Sequence, residues 1–336
     1  MNRTEVLRKL FDPQWPTRAA VVWYLLGLVV LMFLVTGAIF WWLRGSGRLE
    51  AQRADELSTR WRSWIWIASG LALPILLGPA WVICGALVLG LLCFNEFARA
   101  TGVFREKTVC VFVVLGMLAV AFAAFDNYSR LFFATAALVT GLICVSTIPL
   151  DQPKGYVQRT GLGVMGFLLF GYSFGYLGFL SNSPHYASML VGILLCVEAN
   201  DLFAYWIGST VRGPAILPNT SPSKTWSGAI GALVFTTMLT IGVMHLVFQG
   251  TPLDRWQPLL ILGIGISILG QLGDLLLSSI KRDAGIHNIG HMIPAHGGLL
   301  DRFDSLVLIP PAAFHFISLY LGAIGADQPQ RILSGG

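Results

Sequence analysis

The chain has 336 residues, of which 55% are hydrophobic and only 12% are charged, and its mean hydropathy is +0.70. These values exclude a soluble globular domain and are typical of a polytopic membrane protein. The formal net charge is +5, but in a membrane protein the placement of Lys and Arg along the chain carries more information than their sum.

The N-terminal part of the chain combines a polar segment with long apolar runs. Residues 1–18 mix basic and aromatic side chains, which predicts a segment lying on the membrane surface. A first span is predicted over residues 19–43, and an arginine-rich polar loop over residues 44–62. The apolar run 64–97 is too long for one span, and two prolines and a glycine near its middle are expected to split it into a helical hairpin.

The rest of the chain is a series of apolar runs separated by short loops. Because a membrane-spanning helix needs about 20 apolar residues, we predict further spans near residues 108–125, 131–150, 161–180, 186–208, 226–248, 259–279 and 305–321. The sequence therefore predicts an all-α, polytopic integral membrane protein with about ten transmembrane helices.

The loops differ in charge in a regular alternation. One set is basic and comprises residues 44–62, 99–107, 154–159, 212–224 and 281–302. The other set comprises residues 126–130, 181–185 and 249–256. Its only Lys or Arg residues are Arg130 and Arg255. The positive-inside rule assigns the basic set to the cytoplasm. The basic N-terminus then falls outside, so either the first span is inserted against its charge bias or it does not cross fully.

A dense group of acids, bases and glycines follows the span at 259–279. Asp274 lies inside the apolar pattern, where an ionised carboxylate is costly and usually functional. Helical spacing predicts that Asp274, Ser278 and Lys281 share one face, and that the helix breaks at Gly285.

The same group continues to the start of the last apolar run. His296-Gly297-Gly298 permits a close backbone approach to a ligand, and Asp301 and Asp304 are expected to open the next helix. This combination of carboxylates and basic side chains indicates a site for phosphates and a hard cation.

Two earlier segments carry further polar residues. Glu198, Asp201 and Tyr205 follow helical spacing on one stripe near the end of a span. They are expected to join the site. The alternative is a pair of acids neutralised by an Arg or Lys of a neighbouring helix, or one protonated carboxyl. Glu96, in the third span, is a lesser candidate, for which a hydrogen-bonded packing role is an equal alternative.

A third segment lies in the basic loop that follows. Ser221, Lys224 and Thr225 offer two hydroxyls and an ammonium near the start of a helix, where anions are favoured. No glycine-rich phosphate loop precedes Lys224, so this is not a Walker A motif.

These segments resemble the phosphatidate cytidylyltransferases, also called CDP-diacylglycerol synthases. That family carries Ser-x-apolar-Lys-Arg, then Gly, an apolar-Pro pair, His-Gly-Gly and Asp-Arg-x-Asp. The matching positions are Ser278, Ile280, Lys281, Arg282, Gly290, Ile293, Pro294, His296, Gly297, Gly298, Asp301, Arg302 and Asp304. The family's Asp-x-x-Ala-Tyr and Ser-Pro-x-Lys-Thr are matched by Asp201, Ala204, Tyr205, Ser221, Lys224 and Thr225.

One pair of residues departs from the family pattern. Where the family has Lys-Asp, this chain has His287-Asn288. The resemblance implies transfer of a cytidylyl group from CTP to phosphatidic acid, giving CDP-diacylglycerol and pyrophosphate. Because of the departure, another lipid phosphate or a lipid alcohol remains an alternative acceptor. From other classes, an ion-coupled transporter and an inactive relative also remain alternatives.

The resemblance also implies roles for individual residues. Those expected to act in catalysis are Asp274, Lys281, Arg282, Asp301, Arg302 and Asp304. Those expected to bind substrate are Asp201, Tyr205, Ser221, Lys224, Thr225, Ser278, His296, Gly297 and Gly298. Asp274 and Asp301 are the expected ligands of Mg²⁺, with a second cation left open. The roles of Glu96, Glu198, His287 and Asn288 are left undecided.

The expected organisation and partners follow from this interpretation. Residues 1–62 form the surface segment, an extra transmembrane helix and a basic cytoplasmic loop; residues 63–325 form a cytidylyltransferase-like membrane domain; residues 326–336 form a tail. The partners are CTP, phosphatidic acid or a related lipid phosphate, and membrane lipid. No nucleic acid is expected, and a homodimer is left open. The predicted location is the inner membrane of a bacterium, with the site facing the cytoplasm.

The orientation can be tested by labelling. In a cysteine-free variant, single cysteines at Lys224→Cys and Ser183→Cys should react with an impermeant reagent from opposite sides of the membrane, because their loops belong to the two different sets. Labelling of both positions from the same face would refute the predicted topology.

Overall fold

The structure is a computed structural model, and it describes residues 10–11, 20–46, 51–286, 289–290 and 297–335. Five residues named above, His287, Asn288, Ile293, Pro294 and His296, lie outside the described residues, as does most of the predicted surface segment 1–18. Their predicted roles stay predictions.

Within the described chain, eleven α-helices and one β-hairpin follow one another. The helices are α1 (Ala20–Gly45), α2 (Ala51–Leu77), α3 (Pro79–Thr101), α4 (Lys107–Phe125), α5 (Ser129–Ser146), α6 (Tyr156–Gly166), α7 (Ser173–Leu180), α8 (Tyr186–Val211), α9 (Trp226–Val247), α10 (Trp256–Asp283) and α11 (Ile309–Leu321). A π-helical segment, Phe167–Tyr172, joins α6 to α7. The antiparallel strands β1 (Ala215–Leu217) and β2 (Ser221–Thr225) lie between α8 and α9.

Most of these helices are apolar enough for a membrane. Eight helical stretches of the described chain are long and apolar enough to cross one, and two shorter apolar helices, Trp61–Leu77 and Ile309–Leu321, accompany them. The predicted all-α, polytopic membrane architecture is therefore confirmed, and the number ten stays a prediction. The predicted helical hairpin is confirmed, because the break lies at Gly78, whose φ is +125°.

Three local predictions were wrong. The loop predicted over 44–62 is helical from Ala51, since this stretch contains neither glycine nor proline. The last helix begins at Ile309 rather than near residue 305, because Pro310 and Pro311 lack the N–H groups that would bond to the preceding turn. The segment 215–225, predicted as a loop, contains the β-hairpin.

Helices α8, α9 and α10 pack closely through small and polar residues. A Cβ at Gly228 would lie 2.6 Å from the carbonyl oxygen of Ala204, so α8 and α9 can meet only over a glycine. Deeper in the bundle, the buried Asn200 Oδ1 accepts hydrogen bonds from Thr236 Oγ1 (3.2 Å) and Ser267 Oγ (2.7 Å). This network fixes the three helices in register and so sets the height of the neighbouring Asp201.

The two ends of the bundle differ in character. One end carries β2 with Lys224 and the end of α10 with Lys281. At the other end, Leu10 packs against Ala80 and Ile332. Ser183, in the predicted outer loop, is buried, and the exposed Pro184 is therefore the better position for a labelling cysteine.

The C-terminal tail is fastened to this second end by a buried carboxylate. Asp126 is 0% exposed and accepts hydrogen bonds from the backbone N–H of Leu333 and from Ser334 N (3.2 Å) and Oγ (2.6 Å). The neighbouring Asn127 donates through Nδ2 to the carbonyl oxygen of Gly325 (2.8 Å). These bonds attach the tail that follows α11 to the loop between α4 and α5.

Removal of this anchor should destabilise the protein. Asp126→Ala eliminates three hydrogen bonds to a buried charged group, and we expect the free energy of unfolding to fall by about 1.5–3 kcal/mol or more. Thermal unfolding of the detergent-purified variant measures the loss. The matched control is Asp327→Ala, an exposed aspartate of the same tail, whose effect should stay within about 0.5 kcal/mol. Equal losses in the two variants would contradict the anchoring role.

Candidate active site

Four aspartates and two lysines meet at the first end of the bundle. Lys224, in β2, forms an ion pair with Asp274 of α10. Lys281, near the end of α10, has its Nζ 3.0 Å from Asp301 Oδ1 and 3.9 Å from Asp304 Oδ2. Helix α8 contributes Asp201, which interacts electrostatically with Asp274 and Lys224. We call these six residues the ion-pair cluster.

Helix α10 supplies the centre of this cluster through its own periodicity. Ser278 Oγ lies 3.4 Å from Asp274 Oδ1, one turn along the helix, and Lys281 follows on the same side. The helix ends at Asp283, and Gly285 has a φ of +70°. The predicted shared face and the predicted break are both confirmed.

The turns before α11 bring the last aspartates to α10. Successive bonds from Arg302 N to Leu299 O (3.0 Å) and from Leu306 N to Phe303 O (3.1 Å) mark an irregular turn segment, so the expectation that Asp301 and Asp304 open a helix was wrong. A Cβ at Gly273 would lie 2.6 Å from the carbonyl oxygen of Asp304. The missing side chain therefore lets this turn lie directly against α10.

Three carboxylates of the cluster interact with one another. Ser305 Oγ donates a 2.6 Å hydrogen bond to Asp201 Oδ2, and Asp201 and Asp304 each interact electrostatically with Asp274. Asp304 is only 8% exposed. Burial raises the pKa of the Asp304 carboxyl well above its usual range, the charges of Asp274 and Asp201 raise it further, and the nearby lysines lower it in part.

Asp301 binds backbone as well as Lys281. Its Oδ2 accepts hydrogen bonds from Ile289 N and Gly298 N, each at 3.1 Å. One carboxylate thus ties the chain after α10 to the turn before α11. These partners leave Oδ1 directed at the lysine.

Glu96 holds the same turn from the opposite side. It is 5% exposed, and its two oxygens accept hydrogen bonds from Leu299 N (3.0 Å) and Leu300 N (2.8 Å). A Cβ at Gly290 or Gly298 would lie 2.5 or 2.7 Å from these oxygens. The sequence predicted that the glycine pair permits a close backbone approach to a ligand. At Gly298, the group that the backbone approaches is the carboxylate of Glu96. Of the two roles considered for Glu96, the structure favours the hydrogen-bonded packing role.

The hairpin residues and Arg282 support the cluster from one side. Thr225 Oγ1 accepts a hydrogen bond from Gly228 N (3.2 Å) and so caps α9. Arg282 Nε donates to the carbonyl oxygen of Thr220 (3.1 Å), which joins the end of α10 to the hairpin. Ser221, beside Thr220, is buried. Contacts of these residues with substrate stay predictions.

Three further residues named from the sequence, Glu198, Tyr205 and Gly297, differ in their surroundings. Glu198 interacts electrostatically with both Asp201 and the guanidinium of Arg302, and its role stays a prediction. Tyr205 is 77% exposed on α8, and the structure does not bring it into the cluster. Gly297 has a φ of +83°, a conformation that favours glycine.

Sequence reasoning missed Ser305 as a partner of Asp201. A serine next to an apolar run has no distinguishing pattern, and only the fold shows that it faces α8. The anchoring role of Glu96 could have been predicted from the sequence, since an acid inside an apolar run is costly unless it is paired or hydrogen-bonded.

Comparison with known proteins identifies the family. Residues 58–320 match the cytidylyltransferase family. The phosphatidate cytidylyltransferase of Staphylococcus haemolyticus is 30% identical over 254 residues, which are 73% of this chain and 93% of the relative. That of Brucella melitensis is 32% identical over 221 residues, covering 61% and 78%. The uncharacterized protein YnbB of Escherichia coli K12 is 27% identical over 299 residues, covering 87% and 96%.

The matched range includes all six residues of the ion-pair cluster and Glu96, and it begins after α1. Membership sets aside the transporter alternative, and the predicted class of CTP-dependent nucleotidyltransferase is confirmed. This chain is an integral membrane protein that belongs to the cytidylyltransferase family.

Proposed function

We propose that the protein transfers a cytidylyl group from CTP to phosphatidic acid, giving CDP-diacylglycerol and pyrophosphate. The observation that carries the proposal is the ion-pair cluster, in which two lysines lie among four aspartates at one end of an apolar bundle. The phosphatidate cytidylyltransferases of Staphylococcus haemolyticus and Brucella melitensis support the choice of substrates.

The reaction needs charge neutralisation more than proton transfer. A phosphate oxygen of the lipid attacks the α-phosphorus of CTP, and the bond from that phosphorus to the bridging oxygen breaks, so that pyrophosphate leaves with the electron pair. The attacking phosphate is largely ionised near neutral pH, because its second pKa is about 6. No general base is required, and the difficulty is to bring two polyanions together.

The lysines of the cluster are suited to this task. Lys224 and Lys281 are each held by carboxylates in a partly buried site, where their charge is screened less than in water. Incoming phosphate oxygens can replace those carboxylates as partners. The aspartates thus keep two cations in place before the substrates arrive, which reduces the reorganisation needed during the reaction.

The carboxylates in turn fit a hard cation. Among the described residues, no group of three or more His, Cys, Asp or Glu side chains is arranged to hold a metal ion by itself. Mg²⁺ needs no such cage, since it is usually held by one or two carboxylates with substrate phosphates and water. Asp274 and Asp301 would hold it. When bound, Mg²⁺ supplies positive charge for the leaving pyrophosphate.

The place of the cluster suits both substrates. It lies at the end of apolar helices, where a lipid can approach from the membrane and a nucleotide from water. Because Lys224, in β2, and Lys281, near the end of α10, fall within the basic stretches 212–224 and 281–302, we assign this end to the cytoplasmic face of a bacterial inner membrane.

The two proposed metal ligands can be tested by isosteric changes. Asp274→Asn and Asp301→Asn keep the shape of the side chain but remove its charge, and we expect CTP-dependent release of pyrophosphate to fall by at least about 10²-fold. Both proteins should still insert and elute as the wild type does. The measurement is pyrophosphate release with CTP, Mg²⁺ and phosphatidate.

Asp151→Asn is the matched control, because Asp151 is exposed and its φ of +47° is one that Asn tolerates. Its rate should equal that of the wild type. Near-normal turnover of Asp274→Asn or Asp301→Asn at saturating Mg²⁺ would sink the proposed role of that residue.

Glu96 is a positioning residue in this proposal. It touches neither cluster lysine, but it fixes the backbone of Leu299 and Leu300, from which Asp301 follows directly. A displaced turn would carry Asp301 and Arg302 with it. Misplacement by about 1 Å can cost about 10²-fold in rate.

Glu96→Gln should therefore impair catalysis without removing a cluster charge. The amide group presents one acceptor and one donor to two backbone N–H groups, so one hydrogen bond is replaced by a donor–donor contact. We expect a fall in kcat of roughly tenfold or more with little change in KM, and faster hydrogen exchange at residues 297–300 than in the wild type. Glu106→Gln, a helix-end glutamate without a side-chain capping bond, is the control. Unchanged exchange and kcat in Glu96→Gln would exclude the positioning role.

A further inference from the structure

An apolar groove of about 700 Å³ runs along the hairpin of α2 and α3. Helices α7 and α8 contribute Leu177, Leu190 and Leu194 to its wall, and the turn before α11 contributes Leu299 and Phe303. Nearly all of the lining is aliphatic, aromatic or glycine. The groove is distinct from the ion-pair cluster, none of whose residues line it.

The groove ends where the cluster begins. Leu299 and Phe303 line it, and Asp301 lies between them in the chain with its carboxylate on Lys281. The N–H of Leu299 is held by Glu96. A ligand with an apolar chain in the groove would thus present its polar end to the lysines.

The depth of the groove matches one leaflet of a membrane. On α3 its lining extends from Leu92, near the turn held by Glu96, to Trp81, near the bend at Gly78. At 1.5 Å per residue this is about 16 Å, or about half of the ~30 Å hydrocarbon core. A single acyl chain spans the same distance.

The groove is also large enough for an acyl chain. Its volume of about 700 Å³ is many times the ~10–15 Å³ of such space that one water-sized group needs.

We propose that this groove binds an acyl chain of the lipid phosphate. The inference rests on the proposed function for the headgroup chemistry and adds where the apolar part of the lipid is recognised. Because lipid tails are as apolar as the groove, the chain gains little affinity by leaving the bilayer. Its binding instead orients the phosphate towards Lys281 and makes the rate depend on chain length.

Gly70 offers a way to fill the groove. It lines the groove, and a Cβ at this position would meet nothing within 4 Å, so a larger side chain is accommodated without displacing the helix. We expect Gly70→Phe to lower CTP-dependent pyrophosphate release with dioleoyl phosphatidate by about tenfold, and to leave the rate with dihexanoyl phosphatidate within about twofold of the wild type.

The matched control is Gly141→Phe. Gly141 is an exposed glycine of α5 with nothing within 4 Å of its Cβ position, and it does not line the groove. Its rates with both lipids should be those of the wild type. Equal loss of activity on long and short chains in Gly70→Phe would overturn the proposal.

A second measurement does not require turnover. Cys84 lines the groove and is exposed, whereas the other four cysteines are buried or half-buried. In a variant with Cys84 alone, dioleoyl phosphatidate should slow alkylation by an N-alkyl maleimide severalfold, and dihexanoyl phosphatidate should not. Equal alkylation rates with and without dioleoyl phosphatidate would contradict the proposal, even if Gly70→Phe failed to fold.

The two readouts separate this inference from the proposed function. Wild-type protein that releases no pyrophosphate with any phosphatidate would refute the proposed function, while protection of Cys84 would still support the groove. If a second copy of the chain fills the groove, Cys84 should crosslink between copies and the chain-length preference of Gly70→Phe should equal that of the wild type. That result would overturn acyl binding.

Discussion

The pairing of charges at the edge of an apolar bundle is the constraint on which the site depends. Removing a charge from water is expensive, and a buried charge persists only when it is paired and hydrogen-bonded. Lys224 with Asp274, and Lys281 with Asp301, meet this requirement between elements that are distant in sequence. The pairs hold the hairpin, α10 and the turn before α11 together. The same charges are the ones that two polyanionic substrates need.

A second pair of carboxylates acts on the backbone and not on side-chain charges alone. Glu96 accepts hydrogen bonds from the backbone N–H groups of Leu299 and Leu300. Asp301 accepts them from the backbone N–H groups of Ile289 and Gly298. The turn before α11 is therefore held by two carboxylates. Backbone N–H groups that would otherwise be buried without a partner are satisfied in this way. This segment joins the ion-pair cluster to the apolar groove, so its position affects both the phosphate and the acyl ends of a lipid.

Close helix packing sets the height of these groups. Glycines at 228 and 273 allow a carbonyl oxygen of a neighbouring element to approach within a distance that any side chain would block. The polar bonds of Asn200 then fix α8 against α9 and α10. In a membrane, where apolar contact alone discriminates weakly between arrangements, such small residues and hydrogen bonds provide the specificity.

The sequence by itself determined the membrane architecture, the helical hairpin around Gly78 and the segments that supply the cluster, because length, apolar runs and helical periodicity are local properties. It also indicated Asp274, Lys281 and Asp301, since acids and bases next to apolar spans are rare. Only the tertiary structure decided that Glu96 holds a turn some 200 residues later, that Ser305 donates a hydrogen bond to Asp201, and that Tyr205 is exposed. Those facts depend on which helices become neighbours and at what height, and that is settled by packing and charge pairing between segments that no local pattern connects.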